Sequence, residues 1–263
     1  MRAMGGRAEV VERNLRRIHG PGRSQREIDR EIAGVFDSYA RYWLESFRLP
    51  GTHQAIVEDG FRVEGYEHID AALDKGGGVI LALPHLGGWE WAAFWLAVSK
   101  GRQVTAVAEP VEPPELAEWF VGLRREIGIN VVPLGASAAT ECMRALKDNH
   151  ILCLLCDRDL TGTGVEVDFF GERTTIPGGP ATIALRSGAP LLPTAVYFED
   201  DKHLGVVRPP LTVERGQGRL REDVDRITQD LATELEALIR RAPDQWHLMQ
   251  PNWPSDRAAL GGR

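Results

Sequence analysis

The 263-residue chain has only three cysteines, Cys142, Cys153 and Cys156, which is too few for a disulfide framework. That usage points to a reducing compartment. Cys153 and Cys156 have CxxC spacing, but they sit in the apolar run 151–156. On a strand, residues three apart point to opposite faces, so these thiols are expected to pack in a core rather than share a bond or a metal. No apolar run reaches about 18 residues, so no membrane-spanning helix is expected. No apolar core follows the basic residues of positions 1–7, which argues against a secretory signal. Basic charge is not in excess. Lys and Arg number 31 against 38 Asp and Glu, a formal charge of −7, which argues against general nucleic-acid binding. Several catalytic signatures are missing too. Gly135-Ala136-Ser137-Ala138-Ala139 lacks the second glycine of a GxSxG elbow. There is no GxxxxGK[ST], no GxGxxG after a strand and no HExxH. Chemistry without a protein nucleophile must activate the substrate's own hydroxyl.

What is present reads as one α/β domain over 1–263, with an N-terminal helical segment at 1–50 and a core at 60–250. Apolar residues make up 43% of the chain, enough for a sizeable core. Val10, Val11, Leu15 and Ile18 mark one helical face, with Arg13, Arg16 and Arg17 nearby. Such a helix suits contact with anionic lipid, and equally a solvated face packed on the domain. Gly20-Pro21-Gly22 ends it. Ile28, Ile32, Phe36, Tyr39, Trp43 and Phe47 then recur at steps of three and four, a second helix. From residue 61 onward, strand-like and helix-like segments alternate. Strands are expected at 61–64, 79–83, 103–108, 130–132, 151–156, 165–169, 191–198 and 204–208. Helices are expected at 90–99, 115–127, 140–148, 181–187 and 223–241. The alternation implies a central, largely parallel or mixed sheet flanked by helices.

The densest local signal is His85-Leu86-Gly87-Gly88-Trp89-Glu90. It follows the apolar run 79–84 and precedes a stretch at 91–98 that reads as an amphipathic helix. Pro84 ends the strand, because proline cannot donate to a ladder. The two glycines allow a tight turn. The imidazole therefore stands at the C-terminal tip of a buried strand, where open α/β sheets bind ligands. The expected partner is Glu90, folding back across the turn to fix the tautomer and leave the other ring nitrogen as a base. Acids are also common in first helical turns for reasons of the helix dipole alone.

Other groups fall on the same rim of a parallel sheet. Glu109 follows one strand, and Asp157-Arg158-Asp159 follows another. Arg124 lies on an intervening helix. Gly164 to Gly171 precedes Pro177-Gly178-Gly179-Pro180, whose glycines bare amides at a helix start, a place that suits anions.

These residues carry a resemblance. His85 to Glu90 matches the HX4(D/E) motif of membrane-lipid acyltransferases. The chain resembles the lipid A acyltransferase superfamily and its actinobacterial branch, the phosphatidylinositol mannoside acyltransferases. The likeness runs from about Val10 to the C-terminus and includes Glu109, Arg124, Asp157-Arg158-Asp159-Leu160, Gly179-Pro180-Ala181 and Trp246-His247-Leu248-Met249-Gln250-Pro251.

The resemblance implies transfer from acyl-CoA to a hydroxyl of a membrane glycolipid, with His85 as base and Glu90 behind it. It implies an Arg124–Glu166 pair shaping the site, with Glu109 nearby. Arg158, Arg173, Gly178 and Gly179 are candidates for the CoA phosphates. Oxyanion donors are sought among the Gly87–Gly88 amides and the arginines. Trp89, Trp91, Phe94 and Trp95 suit either an acyl groove or simple core packing. No resident cofactor and no metal is expected, acyl-CoA being a co-substrate, and no nucleic acid is expected as a partner. The expected location is peripheral, on the cytoplasmic face of the plasma membrane. Relatives carry additional N-terminal helix for docking, so weaker anchoring or a truncated start is expected here. Competing readings are acylation of another glycolipid or a lysophospholipid, a metal-dependent hydrolase using His85, Asp157 and Asp159, and a non-catalytic acyl-CoA or lipid carrier.

Overall fold

The computed structural model describes residues 2–109 and 114–260. The strands in chain order are β1 (Phe61–Glu64), β2 (Val79–Leu83), β3 (Val104–Ala108), β4 (Ile129–Pro133), β5 (Ile151–Leu155), β6 (Val165–Phe169), β7 (Glu172–Ile176), β8 (Leu191–Glu199) and β9 (Lys202–Val207). The helices are α1 (Arg2–His19), α2 (Gln25–Arg48), α3 (Gln54–Asp59), α4 (Tyr66–Leu73), α5 (Trp89–Val98), α6 (Pro114–Glu126), α7 (Ala138–Lys147), α8 (Gly179–Ser187), α9 (Leu220–Arg241) and α10 (Pro254–Ala259).

Every residue of β2 is buried, as a strand covered on both faces must be. It lies within a seven-stranded sheet of order β1-β9-β8-β2-β5-β3-β4. All pairings are parallel except β8 with β9, so β1 and β9 run against the rest. Side chains alternate across β2. Ile80 and Ala82 face a layer with α7, α8 and α9, and Val79, Leu81 and Leu83 face a layer with α4 and α5. Cys153 and Cys156 fall into opposite layers, as strand geometry requires. From β2 the chain moves outward to β3 and β4, and returns to place β5 between β2 and β3. It then crosses to β8 on the other side of β2. The C-terminal ends of β2 and β5 therefore flank the switch point of the sheet, where a crevice forms.

Three departures from the sequence reading have local causes. Residues 172–176 form a strand that pairs with β6 in a separate hairpin. Its turn, Phe170-Gly171, has φ of 52° and 75°, as a two-residue hairpin turn of this hand requires. The helix after the glycine turn is apolar nearly all round rather than amphipathic, because α5 is enclosed between the sheet, α2 and α3. Arg13, Arg16 and Arg17 of α1 have protein partners. Arg13 and Arg17 pair with the fully buried Asp256, Arg17 also with Glu172, and Arg16 with Glu12 four residues back. Arg17 also covers the Trp253 ring at 4.2 Å. This charge ties α1 to the C-terminus, and the basic helix is not a free lipid-facing surface.

Gly87 is the tightest point of the turn after β2. Its φ is +58°, and a Cβ there would sit 2.0 Å from the Val196 carbonyl oxygen. Gly76 also has positive φ, +71°, but nothing lies within 4 Å of an added Cβ. Gly87→Ala is expected to cost well over about 2 kcal/mol, and Gly76→Ala only the backbone term of about 1–2 kcal/mol. Urea unfolding of the two variants measures the difference, and equal costs would contradict this account of the turn.

Candidate active site

β2 and β5 pair with Leu83 opposite Leu155. Two residues further along each strand stand His85 and Asp157, so the parallel register itself sets them side by side. Asp157 is fully buried, whereas the His85 side chain keeps 19% of its exposure. The ring therefore rests on a buried anion and keeps one edge toward solvent. His85 Nδ1 lies 2.6 Å from Asp157 Oδ1, and the His85 amide donates to Oδ2 at 3.0 Å. Trp246 Nε1 donates to Oδ2 at 2.7 Å. Burial alone would raise the Asp157 pKa. The His85 charge and these hydrogen bonds outweigh it and hold the carboxyl at about 2. An ionised Asp157 can only accept, so Nδ1 carries the proton and donates it as a hydrogen bond, and Nε2 is the ring's basic nitrogen.

The carboxylate behind His85 is thus Asp157, not Glu90. Glu90 opens α5, and its chain runs away from the ring to Arg124 on α6. Arg124 donates to Glu90 Oε1 from Nε at 3.0 Å and Nη2 at 2.7 Å, and Tyr42 of α2 donates to the same oxygen at 3.3 Å. The implied Arg124–Glu166 pair is replaced by Arg124–Glu90. Glu166 lies exposed on β6 and forms no ion pair among the described residues. The Glu90–Arg124 pair joins residues 34 apart in sequence, which local spacing does not specify.

Glu109, at the end of β3, joins the rim through Arg158. The Arg158 guanidinium donates to both Glu109 and Gln250, and its Nε is buried without a partner among the described residues. Arg173 sits on the outer hairpin with Asp168 at 4.0 Å, both strongly exposed. Gly178 caps α8 and packs under Val165 and Val224. None of Glu166, Arg173, Gly178 and Gly179 shares a hydrogen bond or ion pair with the His85 group among the described residues. Asp159 turns into its own loop, accepting from the Thr161, Gly162 and Gly164 amides. It does not converge with His85 and Asp157 as a metal ligand would.

A C-terminal strap, residues 245–252, crosses the rim at His85. The Gly87 amide donates to the Gln245 carbonyl at 3.1 Å, and the His247 amide donates to the His85 carbonyl at 2.7 Å. The Gln245 side chain brackets Phe198 through both its amide and its carbonyl, and Asn252 reaches the Asp157 carbonyl. The His247 ring packs against both Tyr39 and Tyr42, with Nε2 2.8 Å from Ser38 Oγ. Burial first, and the His85 charge second, push its pKa down to about 3.

A family model described as bacterial lipid A biosynthesis acyltransferase matches residues 1–255. The chain belongs to this acyltransferase family. It is 40% identical to the phosphatidylinositol mannoside acyltransferase of Mycolicibacterium smegmatis, over 98% of this chain and 85% of the relative. Two Mycobacterium tuberculosis proteins of the same name are 40% and 41% identical, each over 95% of this chain and 78% of the relative.

In this acyltransferase the HX4E residues do different work. His85 stands on the rim, held by Asp157 and partly exposed. Glu90 and Arg124 form a buried pair joining α5 to α6, under Tyr42 of α2. Below them a narrow apolar cavity of about 30 Å³ runs between the sheet and α4–α5, lined in part by Phe61, Tyr66, Leu81, Trp89, Trp95 and Cys153. Trp89 and Trp95 line it. Trp91 instead stacks on His203 at 4.5 Å, and Phe94 is core.

Two outcomes follow. Arg124→Ala strands the Glu90 carboxylate and is expected to destabilise by about 3–5 kcal/mol in denaturant titration. The Glu90→Gln/Arg124→Met double variant should recover part of that loss, and no recovery would contradict pairing. His247 accepts a proton more readily unfolded, near 6.5, than folded, near 3. Stability therefore falls as pH drops below about 6.5, by at most about 2 kcal/mol between pH 7.5 and 5. That is a melting shift of about 4–8 °C, and His247→Phe should flatten it.

Proposed function

We propose that this enzyme transfers a fatty acyl group from acyl-CoA to a mannose hydroxyl of a phosphatidylinositol mannoside, with His85 as general base. The observation that carries this reading is the His85–Asp157 hydrogen bond at the sheet's switch point, which commits Nδ1 and leaves Nε2 free for a substrate proton. The acceptor is suggested by the names of the mycobacterial relatives.

In the reaction, the acceptor oxygen attacks the thioester carbon as its proton passes to His85 Nε2. The carbonyl oxygen becomes an oxyanion. When the tetrahedral intermediate collapses, the C–S bond breaks and the electron pair leaves on sulfur. The imidazolium then returns its proton to the CoA thiolate. Asp157 stabilises the imidazolium throughout. A base and an activated thioester suffice, so the reaction requires no resident cofactor. The apolar cavity beside Trp89 and Trp95 marks the entry for the acyl chain, and its side chains must part to admit one. Arg158 is the rim cation nearest the site, and a CoA phosphate binding there displaces Glu109 from it.

The enzyme works as a peripheral protein on the cytoplasmic face of the membrane. Among the described residues no helix is long and apolar enough to cross a bilayer. Leu44, Phe47 and Trp119 are about half exposed, on the helices whose inner faces hold Tyr42 and Arg124. Apolar and aromatic side chains of this kind suit a membrane interface. Three free thiols accord with the reducing side.

The test is thiol release from palmitoyl-CoA, with and without phosphatidylinositol mannoside, and with a lysophospholipid as an alternative acceptor. Release should require the mannoside and fall about 10²–10⁴-fold in His85→Ala. Asp157→Asn, which holds the wrong tautomer, should lose at least about 10²-fold. Equal release by the histidine variant would end this mechanism, and release indifferent to any acceptor would mean a thioesterase.

A further inference from the structure

The oxyanion of such a transfer needs a hydrogen-bond donor, and two candidates near His85, the Gly87 amide and the Arg124 guanidinium, are already committed. The Gly87 amide donates to the Gln245 carbonyl. Arg124 spends Nε and Nη2 on Glu90. His247 stands apart. Its amide donates to the His85 carbonyl, so the two histidines are backbone neighbours across the strap.

The protonation of its ring follows from Ser38. Ser38 is 9% exposed, and His247 Nε2, 2.8 Å away, is the only hydrogen-bond partner of its hydroxyl among the described residues. A hydroxyl has one proton. With the ring proton on Nε2, Ser38 would accept it and its own proton would be buried without an acceptor, which is costly. Ser38 therefore donates to Nε2, and the ring proton is on Nδ1. Nδ1 has no protein partner among the described residues, yet it is not one of the enclosed atoms left unpaired. Its N–H is therefore not fully enclosed. Burial against Tyr39 and Tyr42 keeps the ring neutral, which the depressed pKa of about 3 supports.

We infer that His247 is a second catalytic histidine, whose neutral ring donates from Nδ1 to the oxyanion while His85 carries the proton. The role rests on the acyl-transfer reading above; the tautomer does not. His247 keeps its own proton through both steps, so no charge need be created on it. A neutral imidazole serves as an electrophile in this way because its N–H is already oriented before negative charge develops. Ser38 is the positioning residue that selects the tautomer.

The experiment has two arms. Ring-nitrogen NMR of the ¹⁵N-enriched resting enzyme at neutral pH should show His247 protonated on Nδ1 and bare on Nε2. A proton on Nε2 overturns the inference, without reference to any substrate. In the second arm, palmitoyl-CoA and phosphatidylinositol mannoside are turned over by His247→Phe, His247→Asn and Ser38→Ala. The Phe variant should lose about 10²–10³-fold in kcat with KM for palmitoyl-CoA little changed. The Asn variant, whose amide nitrogen takes the place of Nδ1, should recover about tenfold of that. Ser38→Ala should lose about tenfold in kcat, since both tautomers then compete. Wild-type kcat in the Phe variant, or equal losses in Asn and Phe, would overturn the donor role. Absence of transfer by the wild type would instead overturn the proposed function and the role with it, and the NMR arm would still decide the tautomer.

Discussion

A fully buried carboxylate must find donors for its lone pairs, and Asp157 finds them in parts of the chain far apart in sequence. The His85 ring and amide come from the tip of β2, and the Trp246 indole comes from the strap near the C-terminus. None of these donors can move away without stranding the charge. That single requirement fixes the orientation of the base. It also holds the strap across the rim, and so sets Gln245 on Gly87, His247 on His85 and Asn252 behind Asp157. The ion pairs of Arg13 and Arg17 with Asp256 then hold the chain beyond the strap against α1. The N-terminal helix thereby supports the site from behind, with Asn14 donating to the Leu248 carbonyl at 2.8 Å.

The two carboxylates nearest the base divide their duties by environment. Asp157 meets an imidazole and an indole, and acts on proton chemistry. Glu90 meets a guanidinium and a phenol, and acts on helix position. The Glu90–Arg124 pair, 4% and 15% exposed, joins α5 to α6, and Tyr42 brings in α2. The glycine turn makes this division possible. Gly87 approaches the β8 backbone too closely for any Cβ, and an added Cβ on Gly88 would meet His203. The chain therefore leaves the strand in one direction, carrying Glu90 toward α6 and leaving His85 on the rim.

Apolar and polar halves of the site follow the same logic. The polar groups gather where β2, β3 and β5 end, because unpaired strand ends face solvent there. The apolar slot lies beneath α5, where Trp89 and Trp95 meet the odd-numbered residues of β2. A thioester bound at His85 would have its reacting carbon at the boundary between these halves, which is the division an acyl-CoA presents.

Much of this was legible in the chain because it is local. Strand alternation, helical periodicity and the proline–glycine turn place His85 at a strand tip, and they assign most elements to within two residues. The strand at 172–176 escaped because it has a single strongly apolar residue, Ile176, and its identity comes from pairing with β6 rather than from an apolar run of its own. The sequence by itself determined the architecture, the family and the placing of His85 at a strand tip. Only the tertiary structure decided which carboxylate serves it. Glu90 is five residues away and Asp157 is seventy-two. Proximity in sequence favours the first. The order of strands in the sheet, with β5 inserted beside β2 in a register that sets Leu83 opposite Leu155, selects the second. Strand order is a global packing outcome, and no window of sequence contains it.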